Sequence, residues 1–346
     1  MNSRFDITKQ SEGIQVITLL DTAAASHNLG DQIIMEAVAS EIAALFSHFY
    51  IYNVSTHERM GRHSRRLLRR SEFAIAGGTS LISSHMWFRP DWKLDPRIAF
   101  SKCKIILMGV GWYQYQRKPD FYTRWLLRRV LSRQHLHSVR DSYTKNMLAS
   151  IGVTNTVNTG CPTLWRLTPE CFDRIPHEKA ECVLATLNTY MPRSEIDAHF
   201  LKTLRQHYRK VYFWGPTETD YAYASKLDPE LIPLKPHLSG LDDLLESDES
   251  LDYVGNRLHP GIRSMQKGRR TIILEIDNRS REMGADFGLP TIARDDFEGL
   301  SSMIENPLKT DVSVPHSAIE QWKQQFMTVE SFQRPQPSTK WALHDH

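Results

Sequence analysis

The chain has 346 residues, 40% of them hydrophobic and 24% charged. That length and balance fit two globular domains and exclude a disordered, collagenous or coiled-coil chain. The net charge is only +3, but residues 1–150 carry 21 Lys+Arg against 12 Asp+Glu, while the remainder carries 22 against 28. A basic half ahead of an acidic one suits an anionic partner for the first half; a solvated charged surface is the plain alternative.

The opening MNSRFDITKQSEG has no apolar targeting core, and no run approaches the ~20 apolar residues of a membrane span. The four cysteines, Cys103, Cys161, Cys171 and Cys182, include no CxxC pair. A disulfide scaffold and an all-Cys zinc site are therefore disfavoured, and reduced thiols in a cytoplasmic protein are expected.

Along the chain, short apolar runs alternate with amphipathic stretches. GIQVITLL (13–20), FYIYNV (49–54), EFAIAGG (72–78), KIILMGVG (104–111) and TNTVNTG (154–160) predict strands. Helices are predicted over 31–45, 120–134 and 141–150. Continuous rather than alternating apolar runs are the mark of parallel strands buried on both faces. Residues 168–179 form a polar, Pro-bearing linker, after which the pattern restarts. Strands are predicted at 182–187, 210–215, 252–256 and 270–276. Helices are predicted at 194–208, 217–226, 239–247, 260–267, 279–286 and 296–305. A last helix over 316–328 is placed to pack back across both domains. The expectation is an α/β protein with two Rossmann-like domains, 1–167 and 180–310, facing a cleft, followed by a C-terminal helix and tail, 311–346. Open α/β sheets bind ligands at the carboxyl ends of their strands.

Several segments fall at such ends. Asn28-Leu29-Gly30-Asp31 opens the first helix, with Asp31 as a cap. Gly77-Gly78-Thr79 gives a backbone that a ligand can approach, or simply a turn. There is neither a GxGxxG after the first strand nor a GxxxxGK[ST], so dinucleotide and P-loop sites are disfavoured. Asp141 or Ser138 caps the helix after 141, which would put Arg140 at the cleft edge, ready to grip carboxylate or phosphate, or else in an ion pair with Asp141. Arg257-Leu258-His259-Pro260 follows a strand, with His259 at the cap and Pro260 as the first helical residue. A cation and a group titrating near neutrality suit an anionic substrate that needs proton transfer; a capping His and a structural Arg are the alternative. Glu275 to Arg279 ends the next strand and adds carboxylates and a cation to this mouth.

The order and spacing of NLGD (28–31), GGTSL (77–81), SVRDSYTKNML (138–148), TGCPTLW (159–165), GNRLHPGI (255–262) and ILEIDNR (273–279) resemble the polysaccharide pyruvyl transferase family. The resemblance spans about residues 14–300. It implies a GT-B-like fold and transfer of the pyruvyl group of phosphoenolpyruvate to sugar hydroxyls, often as a ketal, in exopolysaccharide or cell-surface glycan synthesis. It also implies roles for Arg140, Arg257 and His259, with a basic residue at Arg279. Cys161 stands where the family often has Asp, and Arg279 where it often has Lys.

On this reading Arg140, Arg257 and Arg279 hold the donor's carboxylate and phosphate, His259 supplies the proton, and Asp31 takes a hydroxyl proton or binds the acceptor. Asn28, Gly30, Gly77, Gly78 and Thr79 form cleft loops. No cofactor beyond the donor substrate is implied, and no metal-ligand spacing appears. The expected partners are phosphoenolpyruvate and a glycan acceptor, lipid-linked ones included. The alternatives are a GT-B glycosyltransferase with a nucleotide-sugar donor and a non-enzymatic scaffold in polysaccharide assembly. Nucleic acid is disfavoured, because no recognised module is present. Arginines 62, 65, 66, 69 and 70 around Leu67 and Leu68, and arginines 124, 128 and 129 among Trp125, Leu126, Leu127, Val130 and Leu131, suit peripheral attachment to the inner face of an anionic membrane. The alternative is that these apolar residues face the core.

Overall fold

The computed structural model describes residues 15–88 and 92–327. The expected strand residues 13–14 and the tail after Met327 lie outside them. The first half runs β1 (Val16–Asp21), α1 (Leu29–Leu45), β2 (Tyr50–Ser55), α2 (Arg62–Arg70), β3 (Phe73–Gly77), β4 (Lys104–Met108), α3 (Phe121–Val130), β5 (His137–Val139), α4 (Ser142–Ser150) and β6 (Thr156–Asn158). Strands β2-β1-β3-β4 form one parallel sheet. The parallel pair β5-β6 continues it through a bridge from Val110 to Val139 and a hydrogen bond from the Gly109 amide to Ser138 O at 3.0 Å. Every residue of β3 is buried, as the FAIAG run requires of a strand covered on both faces.

A short helix α5 (Pro169–Asp173) bridges to the second half. There follow β7 (Cys182–Thr186), α6 (Ser194–His207), β8 (Lys210–Phe213), α7 (Glu218–Leu227), β9 (Ile232–Pro233), α8 (Leu238–Leu245) and β10 (Leu251–Gly255). The chain continues through α9 (Leu258–Gln266), β11 (Thr271–Glu275), α10 (Asn278–Phe287), β12 (Thr291–Ala293), α11 (Phe297–Glu305) and α12 (His316–Met327). The parallel order β12-β11-β10-β7-β8-β9 is that of a Rossmann sheet, with its winding reversing between β7 and β10. The first sheet reverses between β1 and β3.

Helix α1 is apolar on more than one face, and such helices are buried between layers. Ile33, Ile34, Val38 and Ile42 belong to one buried cluster with Leu241, Ile262 and Met265 of the second half, so α1 is the hydrophobic seam of the molecule. Helix α12 returns to the first half. Phe326 lies against Phe46 and Phe73, Trp322 against Trp165, and Lys323 pairs with Glu41 at 2.7 Å.

Several local expectations are corrected. Asn28, not Asp31, is the N-cap of α1, accepting from the Gly30 amide at 3.0 Å; Asp31 sits in the first turn. The helix expected to open at Pro260 begins at Leu258, with Arg257 as its N-cap, so His259 and Pro260 both lie inside its first turn. There Pro is tolerated because the amide it lacks has no helical partner. Gly77 and Gly78 serve packing rather than ligand approach. Gly78 has φ +60°, and a Cβ there would collide with Ile34, while one at Gly77 would meet Val38. The pair lets the end of β3 touch α1. Asp141 does cap α4, accepting from Thr144 N at 2.7 Å.

Candidate active site

The ends of β1, β3, β7, β10 and β11 converge on a cavity of about 770 Å³ between the halves. The first half contributes an acidic wall. Asp31 accepts from Ser26 Oγ at 2.6 Å and from Thr79 Oγ1 at 3.3 Å. Burial raises its pKa above the usual carboxylate value, more than these hydrogen bonds and the charges of His57 and Arg279 lower it. Asn28, His57, Glu58 and Lys93 also line this side.

The second half contributes the cationic wall. Arg257 donates Nε to Leu187 O at 3.0 Å and Nη2 to Asp220, which fixes its plane at the switch point between β7 and β10. Arg279 donates Nε to Asp277 Oδ2 at 2.8 Å and Nη2 to the Tyr190 hydroxyl. The Tyr190 ring stacks under both guanidinium groups, 5.1 Å from Arg257 and 5.5 Å from Arg279. Burial pushes Asp277 upward, but the charge of Arg279 and its hydrogen bonds outweigh this and hold the carboxyl below its ordinary value. The Tyr190 phenol is pushed up to about 12, by burial first.

Arg140 and His259 lie behind this wall rather than on it, so the expectation of Arg140 at the cleft edge is corrected. Arg140 is fully buried. Its guanidinium lies on Gly111, where any Cβ would collide with it, and its Nε is 3.3 Å from Asp141. His259 is buried, and desolvation, followed by the charges of Arg279 and Arg140, lowers its pKa to about 3. Both terminal nitrogens of Arg140, both ring nitrogens of His259 and both side-chain polar atoms of Asn256 lack a hydrogen-bond partner among the described residues, as do Asn188 Nδ2 and Asn278 Oδ1. Buried polar groups are normally paired. An unpaired set drawn from the carboxyl ends of β5, β7, β10 and β11 marks a place that a polar ligand can complete.

Backbone strain coincides with the cavity. Among the described residues, the non-glycine residues with positive φ are Ala25, Thr79 and Gln114, and all three line it. Of the sequence-predicted residues, the structure gathers Asn28, Asp31, Thr79, Arg257 and Arg279 on the wall, with His259 and Arg140 behind it. Gly30, Gly77 and Gly78 do not line it. Sequence reasoning missed Tyr190, Asp220, Asn188 and Asn256. The signal that would have found them is position: each follows directly, or within a short loop, the carboxyl end of a second-half strand. Cys161 is fully buried in the core, away from the cavity wall, and all four cysteines are free thiols. No group of three His, Cys, Asp or Glu is placed to hold a metal ion among the described residues.

Two parallel α/β units with a cationic mouth at the switch point of the second define a GT-B-like protein. The polysaccharide pyruvyl transferase family model matches residues 28–278, and the chain belongs to that family. No curated protein sequence matches it. In fold it is similar to the UDP-bound MnaA of S. aureus, at 11% identity over 93% of this chain and 99% of that one, with a TM-score of 0.51. A UDP-N-acetylglucosamine 2-epimerase shares 10% identity over 94% and 98% of the chains, TM-score 0.48. The wall teichoic acid polymerase TagF shares 12% over 93% and 85%, TM-score 0.41. At such identities the likeness concerns fold alone.

Proposed function

We propose that the protein transfers the pyruvyl group of phosphoenolpyruvate to hydroxyls of a glycan acceptor as a ketal, in exopolysaccharide or cell-surface glycan synthesis. The observation that carries this reading is the unpaired polar set of Arg140, His259 and Asn256 beside the fixed guanidiniums of Arg257 and Arg279. A small molecule bearing both carboxylate and phosphate has use for two guanidiniums on the wall, backed by a third and by a histidine behind it. The acidic wall around Asp31 leaves the opposite side of the cavity for the acceptor.

In the proposed reaction, His259 gives a proton to the methylene carbon of the donor. C2 becomes an oxocarbenium centre. An acceptor hydroxyl forms a C–O bond to C2 and passes its proton to Asp31. The C2–O bond to the phosphate group then breaks, and inorganic phosphate departs with the bonding pair. A second acceptor hydroxyl forms a C–O bond to C2 and closes the ketal, and its proton passes to the departing phosphate. Arg257 and Arg279 hold the donor's negative charge, and burial, which raises the pKa of Asp31 above the usual carboxylate value, makes it a better proton acceptor than an exposed carboxylate.

The test is incubation with phosphoenolpyruvate and lipid-linked or free glycans, reading phosphate release and a pyruvyl mass gain on the acceptor. Phosphoenolpyruvate alone should raise the thermal midpoint through linkage. Stabilisation by nucleotide sugars with none by phosphoenolpyruvate would assign the site to a glycosyltransferase instead.

A further inference from the structure

A second surface of the first half has no part in this reaction. It is a ribbon of aromatic rings set among arginines. Phe121 is 83% exposed, Phe88 80%, Phe100 78% and Trp87 63%. These are high values for side chains that lose the most by facing water. The ribbon is continuous: ring centroids lie 6.1 Å apart for Phe100 and Trp125, 6.1 Å for Trp125 and Tyr122, and 5.2 Å for Tyr122 and Trp87.

Two grooves flank it. Phe121 and Trp125 share one with Arg124, Arg128, Arg129 and Arg133. Phe100 shares the other with Arg62, Arg66 and Arg69 of α2. None of these seven arginines is ion-paired among the described residues. By contrast, Arg65 and Arg97 are bound to Asp95 at 2.8 and 2.9 Å. The apolar residues expected from the sequence to face a membrane do not: Leu68, Leu126, Leu127, Val130 and Leu131 are core. Of that set Trp125 joins the ribbon, and the most exposed rings, Phe88, Phe100, Phe121 and Trp87, are others.

We infer that this aromatic–arginine face docks on an anionic lipid surface, the rings seated at the headgroup boundary and the arginines on lipid phosphates. Exposed Phe and Trp beside unpaired cations match both components of a lipid interface. A nucleic-acid backbone rewards the cations but leaves protruding Phe rings uncovered unless bases are splayed onto them. The face also adjoins the cavity through the chain. His57 and Glu58 line the cavity and α2 starts at Arg62; Lys93 lines it and the turn Pro96–Phe100 follows. Four residues span at most about 14 Å. A lipid-anchored glycan would therefore be presented beside the cleft. The inference stands independently of the donor, since its test measures no turnover.

The test is sedimentation of the full chain with phosphatidylcholine vesicles, with and without phosphatidylglycerol, at about 0.05 M and about 0.5 M salt. Binding to the anionic vesicles at low salt, weakened at high salt, is the expected result. Arg62→Ala/Arg66→Ala/Arg69→Ala should weaken it on the order of 100-fold, about fivefold per residue. Phe100→Ser/Phe121→Ser should weaken it while leaving the salt dependence in place. Both variants change exposed side chains, and unaltered thermal midpoints check that they fold. Brominated lipid should quench part of the tryptophan fluorescence, with the quenching reduced in Trp87→Phe. Equal partitioning to both vesicle types, none to either, or displacement from vesicles by single-stranded oligonucleotide at lower concentration than by soluble anionic lipid headgroup, would overturn the inference.

Discussion

His259 has to carry a proton to do the chemistry proposed for it, yet its surroundings in the protein oppose one. Its pKa lies near 3 against an ordinary 6.5. Restoring the proton at neutral pH therefore costs about 5 kcal/mol, at roughly 1.4 kcal/mol per unit. The causes are burial and then two cations, Arg279 and Arg140. A negative charge about 5 Å away, at an effective dielectric near 20, returns about 3 kcal/mol, a little over two units. A donor with carboxylate and phosphate brings more than one such charge. Donor binding should thus lift His259 back to around neutrality and arm it only when substrate is present. Calorimetry with phosphoenolpyruvate near pH 7.5, in buffers of different ionisation enthalpy, should show proton uptake on binding by the native protein and less of it in His259→Gln. The carbon shifts of the labelled His259 ring should move from neutral to protonated values as donor is added. Equal proton uptake by the native protein and by His259→Gln would refute the reasoning. Stability has a matching sign. The folded pKa is depressed, so between about pH 3 and 6.5 the unfolded chain binds the extra proton and stability falls as pH falls. Above 6.5 the contribution is fully present. His259→Gln should therefore have a shallower acid limb in denaturant titrations.

Other outcomes follow from single contacts. Arg270 and Asp252 are a buried pair at 2.7 Å, and the Arg270 guanidinium also donates to the carbonyls of Met303, Ile304 and Asn306 at the end of α11. Asp252→Ala should cost about 3–5 kcal/mol in urea unfolding, and a loss below about 1 would remove the pair from the stability argument. Asp220→Asn releases Arg257 from its ion pair but keeps an acceptor for the α7 cap. It should raise the donor KM about tenfold with little change in kcat, and an unchanged KM would mean that Asp220 does not position Arg257. The four buried cysteines should resist a disulfide-exchange reagent until the protein is unfolded; burial pushes the Cys103 thiol up to about 12 and raises that of Cys161 as well. Ala25→Gly relieves a φ of 61° and should leave stability within about 1 kcal/mol of the native protein while lowering activity through a looser Ser26–Asp31 loop; a larger loss of stability would deny the strain.

The parallel strands were legible because each is a continuous apolar run, and the mouth of the second sheet because Arg257 and Arg279 follow such runs directly. Helix α2 was not legible as a helix. Its RHSRRLLRR buries Leu68 alone, so its apolar signal is one residue wide. The short strands β9 and β12 were missed for the same reason. The start of α9 was misplaced because Pro260 suits the first helical position in isolation, whereas the tertiary contacts of Arg257 fix that residue as the cap. Arg140 was read onto the cleft edge from its place after a strand. Sequence could not show that Gly111, from another strand end, vacates the space its guanidinium fills. Tyr190 lies on a loop and Asp220 in the first turn of α7, and they meet Arg257 only in three dimensions.

The arrangement has a logic that neither wall has alone. Asp31 stands in the first turn of α1, where the helix dipole favours its anion, yet its burial favours the neutral acid. Across the cavity Arg279 reaches it electrostatically and pulls toward the anion again. The balance at Asp31 therefore depends on the distance between the two halves, and α1 fixes that distance by being packed into both. A donor that occupies Arg279 withdraws part of this attraction, so the carboxylate becomes a stronger base when the cationic wall is filled. The same anion raises the pKa of His259 and favours uptake of a proton there. An anion on the cationic wall therefore shifts both groups in the same direction, toward holding a proton. The strained residues Thr79 and Ala25 sit in the loops that hold Asp31 in place, where a relaxed backbone would let it swing toward water and lose the coupling.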